Sequence, residues 1–131
     1  MFKYVRMINT CSGMIETVNL PEPSPADPPC SIGTICYVTE GRLTNMPSDN
    51  GAKYLVLSNP NKNGEQTCLR IMSGMILEAE TFFDSTTCNI GDCAVFYFNE
   101  NGITESIELN GGDCEIIDTA VGPGRVNVIV L

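Results

Sequence analysis

Seven cysteines and sixteen carboxylates are the residues of this chain best equipped for chemistry, and the chain contains no histidine. The thiols stand at positions 11, 30, 36, 68, 88, 93 and 114, with no Cys-x-x-Cys pair. A tetrahedral zinc site commonly draws two ligands from one closely spaced knuckle, often together with histidine. That pattern is missing, so the cysteine set predicts no metal site and no cofactor. Cys36, Cys68, Cys93 and Cys114 are embedded in strand-like sequence, where a reduced thiol packs as a small hydrophobe. Cys30 and Cys88 hold matched places in two related phrases and are the pair to test for a disulfide.

The acids offer pairs. Glu78 with Glu80, on one face of an expected strand, is one; Glu105 with Glu108 and Glu115 with Asp118 are others. Paired carboxylates can run glycoside hydrolysis. Among sixteen acids, however, neighbours arise by chance, and nine aromatic residues without a Trp leave no evident sugar-stacking cleft. Without imidazole there is no Ser-His-Asp or Cys-His arrangement either. The reading is a non-enzyme with no catalytic residue; a small β enzyme working through Glu78 and Glu80 is a competing one. Gly111-Gly112 and Gly122-Pro123-Gly124 do not lead into a helix as a phosphate-cradling loop must. Asp49-Asn50-Gly51 and Asn99-Glu100-Asn101-Gly102 lack full calcium-loop spacing and read as turns.

A net charge of −9 argues against a nucleic-acid surface, because phosphate binding needs clustered cations and these are scattered. No apolar run reaches the roughly eighteen residues of a membrane-spanning helix, so no membrane partner is expected. Lys3, Arg6, Asn9 and Thr10 interrupt what would be a signal peptide's apolar core, which predicts a product made in the cytoplasm. One local departure from the acidic background is the stretch Phe2-Lys3-Tyr4-Val5-Arg6, with no acid before Glu16. Phe2, Lys3, Tyr4, Val5 and Arg6 are accordingly the candidate partner-binding residues.

The elements that must carry these groups are strands. Residues 30–44 and 88–104 share a Cys-x-Ile-Gly opening, an apolar run, a Glu-Gly or Glu-Asn-Gly turn and an apolar-Thr close. Each phrase spells strand, turn, strand. Residues 2–8 and 14–18 read as two strands around a turn at 9–13, an N-terminal hairpin occupying 1–20. Five prolines in 21–29 predict a stiff, extended connector to a β body at 30–131. Residues 72–83 read as a strand after a turn, and 58–64 as an exposed polar tip. Short strands every 8–12 residues or so give one all-β domain over 1–131, a compact antiparallel β-barrel or β-sandwich with an N-terminal hairpin or arm.

As an ordered set of phrases the chain resembles the capsid decoration (head auxiliary or cement) proteins of tailed bacteriophages. The phrases are the strand pair from Met1 to Val18, Ile32-Gly33, Glu40-Gly41-Arg42-Leu43-Thr44, Lys53-Tyr54-Leu55-Val56-Leu57 and Leu69 to Glu78. Ile90-Gly91-Asp92, Gly112-Asp113-Cys114-Glu115-Ile116-Ile117-Asp118 and a closing Val-rich strand follow. The resemblance implies a structural virion protein that binds the outer surface of an assembled capsid. Its partner would be the major capsid protein, and it would act as a homotrimer or other homo-oligomer. An alternative is a carbohydrate- or host-binding β module displayed on a virion or cell. That module would use the loop tips 58–64 and 99–102, with Phe82-Phe83 and Tyr97 as its only aromatic platform.

Overall fold

The computed structural model describes residues 1–7, 15–48 and 51–131. The antiparallel all-β class is what forms. Among the described residues eleven strands run β1 (Lys3–Met7), β2 (Thr17–Pro21), β3 (Ile35–Thr39), β4 (Arg42–Thr44), β5 (Tyr54–Val56), β6 (Glu65–Arg70), β7 (Met75–Glu80), β8 (Cys93–Phe98), β9 (Thr104–Leu109), β10 (Cys114–Gly122) and β11 (Arg125–Val130). The short 3-10 turn Ser85–Thr87 is capped by the Asp84 carboxylate accepting from Thr86 N. The strands make a six-stranded sheet in the order β1-β7-β11-β10-β8-β9 and a five-stranded sheet in the order β2-β6-β5-β3-β4.

The expected single body resolves into two compact units, one of residues 1–13, 72–97 and 105–131, the other of residues 14–71 and 98–104. In the first, a period-2 burial pattern fixes which side chains share the core face. The register Tyr4–Leu77, Leu77–Val128 and Val128–Ile116 lays one row of apolar side chains across β1, β7, β11 and β10. Leu77, Val128 and Ile116 are fully buried, as are Ala79 and Val126 in the next row. Hydrocarbon dominates here; Cys114, between Val130 and Ala94, is the thiol in its central face.

The second unit curls. β2 and β4 are the two edges of its sheet in hydrogen-bonding order, yet they come back into contact. Arg42 Nη1, at the start of β4, donates to the carbonyl of Glu22, just past β2, at 3.1 Å. This is the beginning of barrel closure. Its core mixes Leu43 and Val56 with the thiols of Cys30, Cys36 and Cys68, and Val18, Leu20, Val38 and Tyr54 pack against them.

Both repeated phrases form hairpins, β3–β4 and β8–β9. Each phrase opens on a glycine in the left-handed region, Gly33 at φ 84° and Gly91 at φ 98°. The Glu40-Gly41 turn has positive φ at both residues, 50° and 77°, which matches the right-handed twist of the strands that it joins. In the second hairpin Asn99 Oδ1 accepts from the amides of Asn101 and Ile103, so that side chain serves the turn, as expected of it. Residues 75–80 are a strand, also as expected.

The N-terminal hairpin does not form. β1 pairs with β7 and β2 with β6, so the two strands belong to different sheets. β7 offers β1 the buried side chains of Met75, Ile76 and Leu77, and β6 offers β2 those of Cys68 and Leu69. The turn expected at 9–13 lies outside the described residues, as do Cys11, Asp49 and Asn50. The proline segment is not a free-standing connector either. Glu22 N donates to Gly64 O, Asp27 N closes a turn onto Ser24 O, and the carbonyls of Pro28 and Pro29 accept from Asn45 Nδ2. Prolines supply acceptors without donors, so the segment packs where donors are available from the body.

Candidate functional site

The sequence places its partner-binding residues on β1, and the structure makes β1 an edge strand of the six-stranded sheet. They divide by alternation. Phe2 is 2% exposed and meets Phe96 edge-on, with ring centroids 5.5 Å apart. It is a core residue, which corrects its assignment to a partner surface. Tyr4 is half-buried in the row with Leu77. Lys3, Val5 and Arg6 are exposed. The register slips between Tyr4 and Arg6, which leaves Val5 as the extra residue of a bulge. A bulge and flanking cations blunt a sheet edge against indiscriminate strand addition. What this edge presents is therefore side chains, two cations around one aliphatic group.

The carboxylate pair is spoken for. Arg125 on β11 lies 3.6 Å from Glu78 and 3.1 Å from Glu80, and the Met1 amino group is 2.8 Å from Glu80. The hydrogen bond from that amine, with the nearby Arg125 guanidinium, holds the Glu80 carboxyl below its usual range. A general acid in glycoside hydrolysis needs the opposite displacement.

The thiols are all free among the described residues, including Cys30 and Cys88, so the expected candidate disulfide is absent. Burial drives the Cys88 thiol up from its ordinary value, and drives Cys114 up to about 12. In the curled sheet Cys36 donates to Asn45 Oδ1 at 3.4 Å and lies 3.5 Å from the Thr34 hydroxyl. Hydrogen bonding between Cys30 and Cys36 raises the first and lowers the second, and burial pushes Cys68 up to about 12. These groups lie at or near the core, where they satisfy one another's polar atoms. No described group of three or more His, Cys, Asp or Glu side chains has metal-holding geometry.

Two further surfaces stand out, the aromatic pair named from sequence and a cleft that the sequence did not suggest. Phe82, 60% exposed, stacks against Tyr97 at a centroid distance of 4.5 Å and a tilt of 40°. In the other unit the proline segment walls a cleft of about 300 Å³, with Gln66 of β6 among its lining residues. Gln66 is wholly buried, and its amide nitrogen donates to Cys30 O at 2.9 Å and Ser58 O at 3.0 Å. Its Oε1 is left with no partner. Nothing in sequence marks a glutamine in a polar strand as buried.

No protein-family model, curated protein or solved structure matches the chain. No described helix is long and apolar enough to cross a membrane.

Proposed function

We propose that this is a structural virion protein that binds the outside of an assembled phage capsid and stabilises it, with the major capsid protein as its partner. The observation that carries the reading is the β1 edge, where Lys3, Val5 and Arg6 stand exposed on a chain of net charge −9. A basic edge on an acidic body orients the protein toward a complementary surface and leaves its acidic remainder facing solvent. Assembly as a homotrimer or other homo-oligomer would multiply that contact, since linked weak sites gain by effective concentration. On this reading the protein is made in the host cytoplasm and resides on the virion surface. The test is a melt of shells assembled from the major capsid protein of the same genome. Saturating protein should raise their disassembly temperature; an unchanged temperature with no bound protein would overturn the proposal.

A second reading has one specific observation in its favour. Exposed Phe82 on half-buried Tyr97 is an aromatic platform of the kind on which sugar rings stack, as a displayed carbohydrate-binding module would need. Glycan-array binding by the wild type, lost in Phe82→Ala, would favour it over capsid decoration.

A further inference from the structure

We propose that the proline-walled cleft of the curled sheet binds small aliphatic ammonium ions. The starting point is Gln66. Its two N–H donors are taken by main-chain carbonyls, which can only accept, so the orientation of the amide is fixed by its partners. That leaves a buried carbonyl oxygen, Oε1, without a donor in a cleft-lining residue. Native structures satisfy the great majority of such atoms, and of the four left unpartnered among the described residues, on Gln66, Thr104, Arg125 and Asn127, only that of Gln66 belongs to a residue lining this cleft.

The rest of the lining says which donor. Glu22 and Asp27 bring carboxylates, and neither has an ion pair among the described residues. Ser24 contributes a hydroxyl. Pro23, Pro25, Pro29 and Pro60 contribute pyrrolidine rings and no N–H. Arg42 gives its Nη1 to the Glu22 carbonyl and lines an adjoining cleft that shares Ser24 and Asp27. The cleft is thus rich in acceptors and nearly devoid of donors, between apolar walls. An ammonium group offers three donors and no acceptor, the complement of that set. A sugar or other polyol would present as many acceptors as donors and find only Ser24 to satisfy them. The space of about 300 Å³ holds a short alkyl chain against the prolines with its charged head toward the acids.

The test is an amide NMR titration of the full chain with butylammonium, matched against 1-butanol and against calcium. Butylammonium should shift Gln66's side-chain amide and the backbone amides of Glu22, Ser24 and Asp27, saturably. 1-Butanol should shift none of them, and calcium should not displace the ammonium. Asp27→Asn should weaken binding at least fivefold. That side chain is exposed, and its turn is held through the main chain, so the variant should fold. Equal response to the alcohol, displacement by calcium, no saturable shift, or unweakened binding by Asp27→Asn would each overturn the proposal.

Discussion

The two units of this protein solve one problem with different materials. The six-stranded sheet buries mainly Leu77, Ile107, Ile116, Val126 and Val128, side chains whose only demand is to leave water, with Thr104 and Ser106 as buried polar residues on β9. The curled sheet buries Thr34, Asn45 and Gln66 beside Cys30, Cys36 and Cys68, so part of its interior must be hydrogen-bonded as well as packed. Each sheet contains a hairpin spelled by nearly the same phrase. The phrase therefore determines the hairpin, and the partners of that hairpin determine the core. A hydrocarbon core loses stability by cavities; a polar-laced core loses it by orphaned donors and acceptors.

The sharpest break in that comparison is a deletion in each core. Leu77→Ala should cost about 2–5 kcal/mol through the transfer term and the cavity left behind, measured by denaturant unfolding. Cys36→Ala removes the donor to Asn45 Oδ1 and a contact with Thr34, and should cost about 1–3 kcal/mol. If Cys36→Ala equals Leu77→Ala in cost, the distinction between the two cores fails.

Glycines sharpen it further. A Cβ on Gly111 would stand 1.7 Å from Val95 Cγ1 and 2.9 Å from the Val95 main-chain nitrogen, so Gly111→Ala should cost about 1–3 kcal/mol or more through overpacking. At Gly41 there is open space and a φ of +77°, so Gly41→Ala should cost only about 1 kcal/mol, from backbone strain alone.

Alkali should strike both sheets. Cys68 and Cys114 are each pushed from an ordinary 9.0 to about 12. The folded state thus holds these protons more tightly than the unfolded chain. Their contribution is full below pH 9 and falls as pH climbs toward 12. Hydrogen exchange should show Cys68→Ala flattening that loss in the curled sheet and Cys114→Ala flattening it in the six-stranded one. The smallest effect concerns Cys93, the one exposed thiol among the described cysteines. Cys93→Ser should remove one fast equivalent of thiol labelling and leave the unfolding midpoint within about 0.5 kcal/mol of wild type.

Strands and turns were legible because their signals are local. Ile-Gly, Glu-Gly and Gly-Pro-Gly mark turns whatever surrounds them, and the repeated phrase predicted two hairpins that are present. Pairing was less legible. Nothing near Lys3 announces Glu78 as its partner, and proximity in sequence suggested a β1–β2 hairpin instead. Phe2 was misassigned although a signal existed: Phe2 and Tyr4 alternate with Lys3 and Val5, which puts the aromatics on the buried face. The stiffness of the proline segment is legible in its composition, whereas the tie of its Pro28 and Pro29 carbonyls to Asn45 is not, because Asn45 stands 17 and 16 residues further along the chain. Gln66 left no trace, because its burial depends on the carbonyl of Cys30, 36 residues away, as well as that of Ser58 across the turn before β6.

On the proposed capsid-binding reading, the β1 edge, and not the curled sheet, makes the contact. That reading is tested most directly by co-sedimentation with shells of the major capsid protein, using charge reversals on each unit. Lys3→Glu with Arg6→Glu spares Phe2 and should abolish binding, whereas Lys62→Glu, in the exposed turn between β5 and β6, should bind as wild type does. Full binding by the Lys3→Glu/Arg6→Glu variant would contradict the account.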